Sequence, residues 1–113
     1  MSEPTPILML CRDLMFTSKV MATARAAGVP LRTVRDPGQL PAEGRKLIVD
    51  LTLEGALEAA GKWKQGAGGV VIAFAPHVDV ETMRAAREAG LDQVLTRGAF
   101  TGQLESLIKD PVY

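Results

Sequence analysis

Four short segments gather the residues whose types could do chemistry. Cys11, Arg12 and Asp13 stand at the end of the apolar run Ile7 to Cys11, and Asp50 closes Leu47-Ile48-Val49. Ala75, Pro76 and His77 end the run Val70 to Ala75, and Thr96, Arg97 and Gly98 follow Asp92 to Leu95. A carboxylate at the end of a buried strand needs a cationic partner, because burying an unpaired charge is costly. Arg12 and Arg97 are the candidates, and their planar guanidinium groups suit either Asp50 or an anionic ligand. Cys11 reads as a small buried hydrophobe or, as a thiolate, a nucleophile. His77 has no base partner evident in the sequence and reads as a solvated loop residue. With one Cys and one His, the chain can build neither an internal disulfide nor a zinc site. No metal or cofactor is expected.

The elements that must position these residues follow from the apolar pattern. Ile7 to Cys11, Leu47 to Val49 and Val70 to Ala75 are continuous apolar runs, as parallel strands covered on both faces require. Leu31 to Val34 alternates and carries Arg32, which suits a sheet edge; Asp92 to Leu95 is the fifth strand candidate. Phe16, Val20, Ala24 and Ala27 recur at helical spacing and stop at Gly28. Leu53, Leu57 and Ala60 mark a second helix, starting soon after Leu51-Thr52 and ended by Gly66 to Gly69. Val80, Met83 and Arg87 mark a third, with Asp79 as N-cap and Gly90 as C-cap. Leu104, Leu107 and Ile108 mark a last one, with Thr101 as N-cap. Residues 36–44 are too rich in proline and glycine for a full helix, and a turn or a single helical turn is expected there. This alternation predicts a doubly wound sheet with right-handed crossovers, whose polar groups converge beyond the carboxyl ends of the strands.

The chain has 113 residues, 47% of them apolar, enough for one domain with a core of its own. Its 13 basic and 13 acidic residues cancel, so nothing in the balance points to nucleic acid or an anionic membrane. The N-terminal residues lack the basic and apolar regions of a signal peptide, and no apolar run approaches a membrane span. A cytoplasmic protein is expected, a single domain over 1–113 with a flexible stretch at 1–6. Gly66 to Gly69 precedes a strand rather than opening a helix, so it is a hinge-like joint and not a phosphate loop. Trp63 is expected to cover the sheet with its indole N–H toward water, and Lys62 and Lys64 to be solvated.

Ile7 to Gly28, Leu47 to Asp50 and Gly69 to Phe100 resemble the CheY-like receiver domain of bacterial response regulators. The nearest stretch is Val94-Leu95-Thr96-Arg97-Gly98-Ala99-Phe100, similar to the receiver ending in which a hydrophobic strand closes in Lys-Pro-Phe. The resemblance implies a flavodoxin-like α/β fold of three layers around a five-stranded parallel sheet in the order 2-1-3-4-5. It places Asp50 where the family has its phospho-accepting aspartate. The acidic pair that holds magnesium is replaced by Cys11 and Arg12, leaving only Asp13 acidic. The family's hydroxyl residue is Ala75, its lysine is Arg97, the following proline is Gly98, and its aromatic switch residue is Val94.

Phosphoryl transfer depends on a metal and fixed cations that neutralise the equatorial oxygens, and magnesium requires carboxylate oxygens in octahedral geometry. The resemblance with these replacements implies a stand-alone degenerate receiver: a signalling and protein-interaction module, not an enzyme. Its partner would be a kinase, a downstream signalling protein or a second copy. For self-association, the family implies a face carrying Arg84, Arg87 and Glu88 with Gln103, Leu104 and Ser106. The alternative is an active phospho-acceptor using Asp50 in a two-component phosphorelay. A third reading rests on Cys11 to Ser18, which looks a little like the phosphocysteine loop of phosphotransferase-system IIB proteins and would make Cys11 the carrier. That loop lacks the glycine a phosphate cradle usually needs.

Overall fold

The computed structural model describes residues 5–67 and 69–110. Five parallel strands form one sheet in the order β2-β1-β3-β4-β5. They are β1 (Ile7–Leu10), β2 (Leu31–Val34), β3 (Lys46–Asp50), β4 (Val70–Ala75) and β5 (Gln93–Thr96). The helices are α1 (Leu14–Ala27), α2 (Ala56–Ala67), α3 (Val80–Glu88), α4 (Arg97–Gly102) and α5 (Leu104–Lys109), and a single 3-10 turn spans Pro37–Gln39. The expected doubly wound fold and strand order are therefore present, with the alternating strand β2 at the edge. Among the described residues, no helix is long and apolar enough to cross a membrane.

The continuous apolar runs are explained by two cores. Leu8, Leu10, Leu47, Val49, Ala73 and Ala75 face one layer, where α2 and α3 supply Ala60, Trp63 and Met83. Ile7, Met9, Cys11, Ile48, Ile72 and Phe74 face the other, against Val20 of α1, Phe100 of α4 and Leu107 of α5. Successive residues of a strand point to opposite faces, so only a strand buried on both sides is apolar throughout.

Helix ends follow their signals with four corrections. Gly28 closes α1 with φ 71° and Asp79 caps α3 at the Thr82 N–H, as expected. Gly90, with φ 85°, lies one residue beyond the cap position, which Ala89 holds. The second helix begins at Ala56, not directly after Thr52, because Gly55 at φ 80° ends a turn first. Gly66 lies inside α2 rather than in a joint, and Gly68 is outside the described residues. Thr101 does not cap the last helix; it lies within α4, its hydroxyl donating to the Arg97 carbonyl at 2.9 Å, and α5 has no side-chain cap.

Two further expectations are corrected by packing. Trp63 does not turn its N–H to water: the residue is 5% exposed and Nε1 has no hydrogen-bond partner among the described residues. Its ring lies against Gly44 and Gly69, where a Cβ would stand 3.3 Å from Cζ2 and 2.8 Å from Cη2. Lys64 is not a free surface charge, since it donates to Asp92 at 2.7 Å and to the Gly69 carbonyl at 3.3 Å. Asp92 also accepts the Val71 N–H, tying α2, β4 and the start of β5 together. Within the stretch 1–6, residues 1–4 lie outside the described residues, while the Pro6 carbonyl accepts the Arg45 N–H at 2.9 Å.

Candidate functional site

The carboxyl ends of β1, β3 and β5 place Cys11, Asp13, Asp50 and Arg97 together. Asp13 caps α1, its Oδ1 accepting the Phe16 N–H at 3.1 Å. That leaves Oδ2 facing the Arg97 guanidinium, 3.5 Å from Nη1. Asp50 sits on β3 one strand away, 4% exposed. Its Oδ2 is 3.6 Å from Arg97 Nη2 and accepts the Cys11 S–H at 3.5 Å. Its Oδ1 accepts the Thr52 N–H at 3.0 Å and the Thr52 hydroxyl at 2.7 Å.

Arg97 opens α4, whose N-cap Thr96 accepts the Ala99 N–H at 3.1 Å. A cation at a helix N-terminus opposes the helix dipole. The two carboxylates supply the opposite charge. Below the guanidinium lies an aromatic floor: Arg97 Cζ is 4.7 Å from the Phe16 ring centroid and 5.7 Å from that of Phe74. Phe16, Phe74 and Phe100 stack on one another with centroids 4.8–5.7 Å apart. Guanidinium over an aromatic face gains by cation–π attraction, which grows with desolvation. The Arg97 Nε–H is buried and has no partner among the described residues.

Two of the expected crevice residues are elsewhere. Arg12 does not pair with Asp50; its Nε donates to the Arg35 carbonyl at 2.9 Å, toward the β2 edge. Ala75 is buried with the opposite core, beside Val49 and Ala73, and brings no hydroxyl to Asp50. His77 is exposed in the loop after β4. In the face expected for self-association, Arg84 pairs with Glu81 at 2.6 Å, and Leu104 is buried at 5% exposure, so it cannot contribute to a surface. Thr52 and Phe16 belong to the site although the sequence points to them only as parts of a loop and a helix face. Thr52 carried a signal, since Asp-x-Thr favours a side-chain turn of this kind. Phe16 as a platform carried none, because the stacking is spatial.

Burial pushes the Cys11 thiol up to about 11; the Asp13 backbone N–H opposes this by less than burial adds, and the Asp50 charge and hydrogen bond raise it further. An ordinary cysteine here would titrate at 9.0. Two pH units remove about 100-fold of thiolate, and the thiolate is the nucleophile. Alkylation of Cys11 by iodoacetamide at neutral pH is therefore expected to run at least about 100-fold slower than that of a free thiol. A rate equal to free cysteine would overturn this. The same argument removes support from a phosphocysteine role.

Magnesium does not fit these donors. Both Asp50 oxygens and both Asp13 oxygens already face protein donors or the Arg97 cation. The cation lies between the carboxylates that a metal would need.

Solved structures carry the same fold. A CheY-like receiver domain from Methanospirillum hungatei superposes with TM-score 0.76 at 13% identity, over 96% of this chain and 97% of that one. A receiver protein from Burkholderia phymatum gives 0.72 at 14%, over 93% and 95%. The receiver domain of a sensor histidine kinase from Pseudomonas aeruginosa, with magnesium coordinated in its active-site cleft, gives 0.69 at 16%, over 94% and 98%. No family model and no curated protein sequence matches the chain. The chain thus has the fold of CheY-like response-regulator receivers.

Proposed function

We propose that the chain is a degenerate receiver: a cytoplasmic signalling module that works by binding a protein partner, a kinase or a downstream signalling protein. It is not an enzyme and does not use magnesium-dependent phosphorylation of Asp50. The observation that carries this reading is the Arg97 guanidinium, 3.5 Å from Asp13 and 3.6 Å from Asp50 on an aromatic floor. A fixed cation takes the electrostatic role that a metal would otherwise supply, and it does so without a ligand. Asp50 Oδ2 is then directed at Arg97 and Cys11 instead of at an incoming phosphoryl donor. A protein partner is supported by the crevice rim, where Leu14, Met15 and Val78 are 62%, 85% and 75% exposed on the loops and first turns after β1 and β4. Large apolar side chains left in water at one edge favour contact with another protein.

The test is intact mass after incubation with acetyl phosphate and millimolar magnesium. The expected spectrum is that of the unmodified chain. A gain of one phosphoryl group that disappears in Asp50→Asn would overturn the proposal in favour of an active phospho-acceptor.

A further inference from the structure

Strand β2 closes one edge of the sheet and pairs with β1 alone. The carbonyls of Pro30 and Val34 accept the N–H groups of Ile7 and Cys11 at 2.9 and 3.0 Å. Main-chain groups of successive residues in a strand point to opposite edges, so Arg32 also faces β1. The N–H and C=O groups of Leu31 and Thr33 therefore face away from the sheet, and no described residue pairs with them. They form the row of donors and acceptors that a further strand would use.

The side chains beside this row are mostly of one sign. Arg32 and Arg35 are exposed, about 10 Å apart at a strand's rise per residue. Arg12, also exposed, is drawn to the same place, its Nε donating to the Arg35 carbonyl at 2.9 Å. None of the three forms an ion pair among the described residues. The adjoining acid, Asp36, caps the Pro37–Gln39 turn, its Oδ1 accepting the Gly38 N–H at 2.8 Å. A chain of zero net charge thus sets three positive charges against one negative at this edge.

That charge decides between the occupants of an open edge. Pairing β2 with the β2 of a second copy would bring Arg32 and Arg35 of both chains together, and like charges across a strand pair are destabilising. Arginine at an edge guards against such self-pairing. An extended segment bearing carboxylates meets no such repulsion, and a guanidinium can take a carboxylate through two parallel N–H groups.

We infer that the β2 edge binds an extended acidic segment of a partner protein, which adds a strand through Leu31 and Thr33 and sets its carboxylates against Arg12, Arg32 and Arg35. The inference rests on the reading of the chain as a protein-binding module, on a surface apart from the Asp50 crevice. The acetyl phosphate result leaves it untouched, and its own failure leaves the crevice reading standing.

The probe is an acetylated and amidated heptapeptide that alternates glutamate and valine. The control is the same peptide N-methylated at all its central residues, which keeps the charge but cannot donate from either edge. The readout is amide hydrogen exchange of the full chain by NMR. Saturable binding of the probe should slow exchange at the Leu31 and Thr33 amides at least about tenfold, and the control should bind at least about tenfold more weakly. Arg32→Glu combined with Arg35→Glu, both at exposed positions, should keep the native spectrum and weaken the probe at least about tenfold as well. No saturable binding, equal affinity for the control, unchanged binding in the folded double variant, or protection confined to other amides would each overturn the inference. So would protection of Leu31 and Thr33 that grows with protein concentration alone, which would assign the edge to a second copy.

Discussion

Lys46→Ala is expected to lower the stability of the domain by about 4 kcal/mol, and Lys46→Met by about 2 kcal/mol. Lys46 is 1% exposed at the start of β3, an unusual place for an ammonium. It is held there because Nζ donates to the carbonyls of Leu107 and Asp110, both at 2.8 Å. These belong to the last turn and cap of α5, which would otherwise leave carbonyls unsatisfied. A cation at a helix C-terminus also matches the helix dipole. Methionine keeps most of the stem and removes both charge-assisted bonds, with relief of ammonium desolvation as a partial offset. Alanine removes the packed methylenes as well, at about 0.8 kcal/mol each. Urea unfolding of both variants decides it. Values within about 0.5 kcal/mol of the parent would show that Lys46 does not hold α5.

The same residue predicts a pH dependence with a definite sign. Burial lowers the Lys46 ammonium below its ordinary 10.5, opposed by the Asp110 charge and reinforced by Arg45. Below the lowered native value, both folded and unfolded states hold the proton, and the desolvation penalty is fully present. Between that value and 10.5 the folded chain releases the proton while the unfolded chain keeps it, so stability rises with pH in that window. The stability gap between the parent and Lys46→Met should therefore widen as pH approaches 10.5 from below. A gap that narrows over this range would contradict the burial of a charged amine.

The strands were legible because each one buried on both faces leaves an unbroken apolar run, and Gly28 and Asp79 announce helix ends by their chemistry. Helix α4 was not legible. Its six residues include two glycines and one large apolar side chain, Phe100, so there is no periodicity to read; only the Thr96 cap marks it. The position of Asp50 at a strand end was evident from sequence, but the choice between Arg12 and Arg97 was not. Both follow a strand, and which one reaches Asp50 depends on strand order and on the first turn of α4. Lys46 was hidden for a related reason: one of its partners is a main-chain carbonyl 61 residues away, which no side-chain pattern records.

Arg97→Ala is expected to cost about 2 kcal/mol, and the cycle with Asp50→Asn should show a coupling of about 1–2 kcal/mol. Removing one partner of a fully buried pair costs about 3–5 kcal/mol. The figure here is smaller because the Arg97 side chain is 40% exposed and its contacts are 3.5 and 3.6 Å. The coupling to Asp13→Asn should be weaker, below about 1 kcal/mol, since that side chain is 41% exposed while asparagine retains the cap on α1. Arg97→Lys should recover only part of the loss. An ammonium keeps the charge but cannot span two carboxylates and lie flat over Phe16 at once. Arg12→Ala serves as the contrast, because its exposed hydrogen bond goes to the Arg35 carbonyl and not to Asp50, and a change within about 0.5 kcal/mol is expected. A melt series in which Arg12→Ala is the costlier change, or in which Arg97 and Asp50 are additive, would mean that Arg97 is not the cation that neutralises Asp50.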